Sequence, residues 1–391
     1  MQDALARNPK PASFARIRGQ RVAVISDALA ERNGVGSYYR DLAVQLSCRG
    51  LQTKVLCPDG HTGRSLPMPC DPTQRLWLPP ARELTAKLER LQPQVIVLPT
   101  PGPFGLYGLW AAKRLGARII VGFHTHFEAL ASHYCRAPLD RAVRFGWRLF
   151  NARVFRQAAG VVTTSRPMVA AAQALGAPHV HRLGTLLGPE FLATHTPNRD
   201  QLRSVLFAGR LAAEKNLEAV VQAARELPGV AFHIVGDGPQ RDFVLGQAAQ
   251  LPNLHYHGWC SRSELLTHMD ASDLLVLPSH VESFGTVVLE AMARARTTLI
   301  SPHCGIAEWP ALAADVAIMQ PQESLTDAIS RLSRLDPRLR GRMAQGARRA
   351  ALAMNEAAVN GWLDIIGGAD ALQHADTSCP ELSQAHERAL P

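Results

Sequence analysis

Glu282 and Glu290 stand eight residues apart in Glu282-Ser-Phe-Gly-Thr-Val-Val-Leu-Glu290, directly after the apolar run Asp273-Leu-Leu-Val-Leu-Pro-Ser279. A strand, a bend at Gly285 and the helix-forming Leu289-Glu-Ala-Met-Ala293 would turn both carboxylates and the backbone N–H groups of the bend toward one pocket. Alone, such a pair reads as a solvated helix face, where most glutamates lie. A second block weighs against that. Ser204-Val-Leu-Phe-Ala-Gly-Arg210 is a short buried-type strand, and Leu211-Ala-Ala-Glu-Lys215-Asn follows it. Lysine is scarce here: Lys10, Lys54, Lys87, Lys113 and Lys215 are the full set, so Lys215 is alone in the last 278 residues. A guanidinium grips two oxygens bidentately, whereas an ammonium on a flexible stem follows a phosphate as its charge changes. Two such cations suit one diphosphate.

Both blocks resemble glycosyltransferase family 4, the first through its E-x7-E element and the second through its G-R-L-x-x-E-K element. The resemblance extends over about residues 20–365. It implies an α/β protein of GT-B fold, with two Rossmann-like doubly wound parallel-sheet domains and a cleft between them. The activity it implies is retaining transfer of a sugar from a nucleotide diphosphate sugar to a lipid or glycan acceptor. Arg210 and Lys215 would then hold the donor diphosphate, Glu290 the nucleotide ribose, and Glu282 the hydroxyls of the transferred sugar. Ser283, Phe284, Gly285, Thr286 and Val287 would form the donor loop between the two glutamates. Gly236, in the turn Gly236-Asp-Gly-Pro239, would lie under the nucleotide. Gly34 and Gly36 would bring backbone close to the distal phosphate and the acceptor. His124 ends the strand-like Arg118-Ile-Ile-Val-Gly-Phe-His124 and would stand near the transferred sugar. The catalytic set implied is His124, Arg210, Lys215 and Glu282, with no cofactor and no metal, because Arg and Lys neutralise the diphosphate. Two stretches depart from the family pattern. Cys304-Gly-Ile-Ala-Glu308 has Cys304 for a glycine and Ala307 for a proline, which leaves the role of Glu308 open. His181-Arg-Leu-Gly-Thr-Leu-Leu-Gly188 lacks the proline–asparagine–glycine linker signature.

Other chemistries fit less well. His124, His126, Glu128 and His133 are ligand types for zinc, but the resemblance implies substrate positioning for His124, with His126 and His133 structural or surface residues. A dinucleotide fingerprint fails at Asn33-Gly-Val-Gly36, because Tyr39 stands where the third glycine belongs, although Asp59 could supply the acid. A nucleotide-sugar epimerase or phosphorylase would share the phosphate logic without these motifs. A non-catalytic binding protein would not need Arg210, Lys215, Glu282 and Glu290 together.

The charge is lopsided. Residues 1–190 hold 25 Lys and Arg against 11 Asp and Glu, a balance of +14, while the remainder holds 17 against 22, or −5. A basic first half points to an anionic partner, such as a membrane surface, a lipid phosphate or an acidic glycan. Nucleic acid is disfavoured, since no zinc-ligand spacing, RNA-binding signature or lysine-rich run occurs. Within residues 139–158, Val143, Trp147, Phe150 and Val154 fall in an arc of about 60° at the helical period. Arg141, Arg144, Arg148, Arg153 and Arg156 lie on the other side among Phe145, Leu149 and Phe155. Such a face suits either solvent or anionic lipid. Seven scattered cysteines without a C-x-x-C read as reduced thiols. The first twenty residues have no apolar signal region, and Val95–Ala112, though uncharged, is broken by Pro99, Pro101, Gly102, Pro103 and Gly105. A cytoplasmic protein, peripheral at the inner membrane face, is expected.

The chain alternates strand-like and helix-length segments twice over. A leader over 1–19 precedes a first domain at 20–190, with strands expected at Arg21–Asp27, Thr53–Leu56, Val95–Pro99, Arg118–Phe123 and Gly160–Thr164. After a linker over 181–203, the second domain (191–366) repeats the pattern at Ser204–Ala208, Ala231–Val235, Leu254–His257, Asp273–Pro278, Thr297–Ser301 and Val316–Met319. Residues 339–366 form a long helix that crosses back in the resembled fold, and the tail 367–391 is polar and expected to be disordered. Ligands belong at the carboxyl ends of such strands.

Overall fold

The computed structural model describes residues 17–29, 34–59, 63–68, 71–100, 102–124, 139–193 and 201–368. Most of the leader, the tail, Asn33, His126, Glu128 and His133 therefore lie outside the described residues.

Two parallel sheets of six strands each carry the fold. The first contains β1 (Arg21–Ile25), β2 (Gln52–Leu56), β5 (Val95–Leu98), β6 (Arg118–Phe123), β7 (Gly160–Thr163) and β8 (Val180–Arg182), in the order β2-β1-β5-β6-β7-β8. The second contains β9 (Ser204–Ala208), β10 (Ala231–Val235), β11 (Leu254–Gly258), β12 (Leu274–Leu277), β13 (Thr297–Ile300) and β14 (Ala317–Ile318), in the order β11-β10-β9-β12-β13-β14. The apolar runs become strands because helices cover both sheet faces, so Val-, Ile- and Leu-rich segments with no polar alternation are stable only there. β5, β7, β9, β12 and β13 are buried along their whole length. Two elements differ from expectation. β3 (Ser65–Met68) pairs antiparallel with β4 (Asp71–Trp77). β8 overlaps the start of the expected linker; its three residues, Val-His-Arg, are all half-buried and carry little apolar signature.

In each sheet the strand order reverses direction at one place, between β1 and β5 in the first and between β9 and β12 in the second. In such sheets ligands bind outside the carboxyl ends of the two strands that flank that place.

The helix Pro337–Gly367 belongs to both halves. Ala347 and Ala351 pack in the core of the second sheet, whereas Ala358, Val359, Trp362, Leu363 and Ile366 pack with Val22, Val24, Tyr38, Tyr39, Leu42 and Leu46 of the first. Trp362 Nε1 donates to Tyr38 Oη at 2.7 Å, Leu187 N donates to Asn355 Oδ1 at 2.9 Å, and an Arg118 Nη2 donates to the Ile365 carbonyl at 2.9 Å. The i, i+3, i+4 spacing of these residues puts them on one stripe, which is how one helix can serve two cores in turn.

Candidate active site

The switch point of the second sheet is lined by the loops after β9 and β12. Neighbouring strands place them side by side: Leu274 and Leu275 of β12 pair with Val205 and Leu206 of β9. Gly209 and Arg210 leave β9, and a 3-10 turn at Ala213–Lys215 sets Lys215 facing the β12 loop. Lys215 Nζ meets Glu282 Oε2 at 2.5 Å, with 15% and 18% of their side chains exposed. Backbone bonds stitch the loops: His280 N to the Glu214 carbonyl at 2.8 Å, Gly305 N to the Glu282 carbonyl at 2.9 Å and Ile306 N to the Phe284 carbonyl at 2.8 Å. Asn216 Nδ2 donates to the Pro278 carbonyl at 3.2 Å. Burial works against the charge on Lys215, but Glu282 beside it, then Glu214 and Cys304, more than offset this and raise its pKa. Lys215 therefore remains a full positive charge in a largely dry place.

Gly285 is the bend that the sequence suggested. Its φ of 94° is left-handed, and a Cβ there would lie 2.7 Å from Cys304 Sγ. It caps the helix Thr286–Ala293, so Thr286 is the first helical residue. The side chain of Phe284 points into the second core, edge-on to Trp309 at 6.3 Å between centroids. Cys304 is buried; burial raises its thiol pKa, and its Sγ donates to the Phe284 carbonyl at 3.3 Å. Gly236, at φ 139°, has a steric duty: a Cβ would fall 1.8 Å from the Gly209 carbonyl oxygen, so the turn leaving β9 passes only over a glycine.

Glu290 sits in the second turn of that helix, and burial pushes its carboxyl up to about 7 despite the pull of Arg262. Its partner is Arg262 Nη2 at 3.3 Å. Arg262 also reaches Asp41, in the helix Gly34–Cys48 of the first domain, and Glu190 of the connection. None of these three was singled out from the sequence. The one local signal was the capping box Ser261-Arg-Ser-Glu264, which fixes Arg262 as the first residue of the helix Arg262–Ala271.

On the first domain, Gly34 and Gly36 occupy the first turn of the helix Gly34–Cys48, Gly34 exposed and Gly36 buried. His124 follows β6, and its Nε2 lies 2.8 Å from Tyr39 Oη with the Tyr38 ring 4.7 Å away. Burial lowers its pKa to about 4, so it is a neutral imidazole at pH 7. Glu308 has a definite place. Its carboxylate accepts from Arg166 N at 2.8 Å, at the start of the helix Arg166–Ala174, and from Arg182 Nη2 at 3.2 Å. Arg182 stacks over the Trp309 ring at 4.1 Å, and Trp309 Nε1 donates to the Thr164 carbonyl at 3.2 Å. The loop that departs from the family pattern is thus a strut between domains. Among the described residues no group of three or more His, Cys, Asp or Glu is arranged to hold a metal.

The family model for "Glycosyl transferase 4-like domain" matches residues 33–184, and that for "Glycosyl transferases group 1" matches residues 192–350. The chain belongs to the family 4 glycosyltransferases. It is 28% identical over 312 residues to "GDP-mannose-dependent alpha-mannosyltransferase" of Mycobacterium tuberculosis, covering 73% of this chain and 80% of that one. It is 28% identical over 268 residues to "Alpha-D-kanosaminyltransferase" of Streptomyces kanamyceticus, covering 63% and 69%. In fold it is similar to sucrose-phosphate synthase from Thermosynechococcus elongatus, with a TM-score of 0.67 at 18% identity over 89% of this chain and 98% of that one. The two sheets are accordingly the two halves of a GT-B glycosyltransferase, which draws its sugar from a nucleotide-sugar donor.

Proposed function

We propose that this glycosyltransferase moves a sugar from a nucleotide diphosphate sugar to a lipid or glycan acceptor, with retention of anomeric configuration, at an anionic membrane surface. The observation that carries the donor half is the Lys215–Glu282 pair at the switch point, with Arg210 leaving the neighbouring strand end. An incoming diphosphate offers Lys215 a second anion, and Arg210 and Lys215 stabilise the charge that grows on it as the glycosidic bond breaks. Glu282, released from sole pairing, orients the hydroxyls of the transferred sugar. The N–H groups around Gly34 and Thr286, each in the first turn of a helix, assist with phosphate oxygens. Glu290 accepts from the ribose. The acceptor attacks from the face the diphosphate leaves, and the leaving phosphate takes its proton; His124, neutral and fixed by Tyr39, positions the sugar. Metal has no task in this scheme, because the two cations neutralise the diphosphate.

The acceptor half rests on the helix Leu139–Phe155. Phe145 and Leu149 are 64% and 57% exposed, and the exposed Arg141 and Arg148 share their face. Leu106 and Trp110 of the helix Pro103–Leu115 are exposed as well. Apolar rings dipping below headgroups with guanidinium groups at their level is the pattern of a monotopic contact. Phe155, by contrast, is buried against Phe123 and takes no part in it.

The test is a screen of purified protein against UDP-, GDP- and ADP-sugars with lipid and saccharide acceptors, read by mass spectrometry, with product anomeric configuration determined by NMR. Transfer with retention is expected. Absence of both transfer and donor hydrolysis across all three nucleotide classes would sink the proposal, and inversion would sink its stereochemical half.

A further inference from the structure

Arg262 touches three carboxylates from three parts of the chain. Its Nη1 donates to both oxygens of Asp41, at 2.8 and 2.7 Å. Its Nε lies 2.8 Å from Glu190 Oε1, and its Nη2 lies 3.3 Å from Glu290 Oε1. The Phe191 ring lies 5.1 Å from the guanidinium. Arg40 supplies a second cation, 3.7 Å from Asp41 and 3.8 Å from Glu190. Three carboxylates thus share two cations, and Glu290 has the longest of the contacts made by Arg262.

We propose that Arg262 is a positioning residue for donor binding: it aims Glu290 at the ribose and favours its charged form, and Asp41, gripping the same guanidinium from across the cleft, couples that state to the seating of the two domains. This rests on reading Glu290 as the ribose ligand. Asp41 and Arg40 stand on the helix Gly34–Cys48 of the first domain, Glu190 on the connection Pro189–Leu192, and Arg262 and Glu290 on helices of the second. Of these, Arg262, Asp41 and Glu190 act on Glu290, while Arg40 acts on Asp41 and Glu190. A ribose offers hydroxyl donors, and an ionised carboxylate accepts from them more strongly than a neutral one. Burial raises the Glu290 carboxyl to about 7, with Asp41 and Glu190 pushing the same way and Arg262 pulling back. Its charge near neutrality therefore depends on how the guanidinium is divided between Glu290 and Asp41. Whatever moves Asp41 relative to Arg262 changes the ribose subsite, and by linkage an occupied subsite biases the domain arrangement in return.

Titration calorimetry of the full chain with UDP, GDP and ADP from pH 5.5 to 8.5 tests this. The ligand's own phosphate titration is common to all variants and cancels in the comparison. For the nucleotide that binds, wild-type affinity should rise through an inflection near the Glu290 value, and Glu290→Gln should abolish the inflection and weaken binding. Arg262→Gln removes the cation beside Glu290 and should move the inflection up by about one pH unit. Asp41→Asn removes a competing anion and should move it down by roughly half a unit, with Arg262→Lys between wild type and Arg262→Gln. A merely structural Arg262 would weaken binding without shifts of opposite sign. If Glu290→Gln abolishes the inflection while Arg262→Gln and Asp41→Asn leave it in place, the coupling is wrong and the ribose assignment stands. If Glu290→Gln binds as wild type, or none of the nucleotides binds, the assignment itself is wrong. Should Arg262→Gln not fold, the downward shift in Asp41→Asn decides.

Discussion

Lys215 and Glu282, 67 residues apart in the chain, meet at 2.5 Å because β9 and β12 are parallel hydrogen-bonded neighbours whose following loops leave from the same sheet end. The contact pairs a cation with an anion that the donor's diphosphate and sugar would each engage in turn.

Removing either cation from that place should cost charge-assisted hydrogen bonds worth roughly 1.5–3 kcal/mol. Arg210→Ala and Lys215→Ala are each expected to lower kcat/KM for the donor by about 10- to 150-fold. Circular dichroism should show that both remain folded. Wild-type turnover in both variants would remove the diphosphate from this pocket.

Transfer is expected to persist in excess EDTA, at a rate within about twofold of the untreated enzyme, because fixed cations do the neutralising. Steady-state assays with and without chelator, followed by Mg²⁺ or Mn²⁺ addition, check it. A complete loss restored by metal would return attention to His124 as a ligand.

The acceptor face predicts a salt-sensitive attachment. Each exposed Arg near an anionic bilayer contributes on the order of 1 kcal/mol, decaying over roughly 8 Å at physiological salt. Arg141→Gln combined with Arg148→Gln should release the protein from phosphatidylserine-containing vesicles in a sedimentation assay and leave donor hydrolysis nearly unchanged. Wild-type protein that ignores such vesicles at low salt would leave this helix a solvated face.

A cluster of four histidines makes stability pH-dependent. His233 Nδ1 lies 3.0 Å from His257 Nε2, His255 stacks on His233 at 5.1 Å, and His268 lies 4.2 Å from His257. Burial first, then the neighbouring imidazoles, lower the His233 pKa from 6.5 to about 4, and His257 is lowered too. With folded values below unfolded ones, the unfolded chain binds protons first as pH falls. The contribution of this cluster to stability should therefore decline from about pH 6.5 and be lost below about pH 4. Urea unfolding at pH 7.5 and 5.0 should show a larger loss of midpoint for wild type than for His257→Gln. Equal losses would mean the imidazoles do not sense one another.

Much of this architecture is written locally. Segments such as Val-Ile-Val-Leu at β5 and Leu-Leu-Val-Leu at β12 announce buried parallel strands, and Gly285 marks a left-handed bend that other residues rarely adopt. The Lys215 and Glu282 blocks were legible because each is a strand end plus a turn. The remainder was not, for a physical reason. Which carboxylate meets Arg262 depends on how two domains lie against each other, and Asp41 is 221 residues away with nothing in its own neighbourhood to single it out. Glu308 was obscured differently: Cys304 and Ala307 break the family pattern, while its partners, Arg166 and Arg182, come from the other domain. β8 escaped notice because three half-buried residues carry too little hydrophobic contrast.

The long helix Pro337–Gly367 sets an order on synthesis. The first sheet is complete once Arg182 has emerged, yet its hydrophobic layer still lacks Val359, Trp362, Leu363 and Ile366. On the ribosome, the amino-terminal half must wait through some 180 further residues, several seconds or more at about 5–20 residues per second, with Val22, Tyr39 and Leu42 uncovered. The expected consequence is that this layer of the first half is covered only when the last turns of the helix arrive.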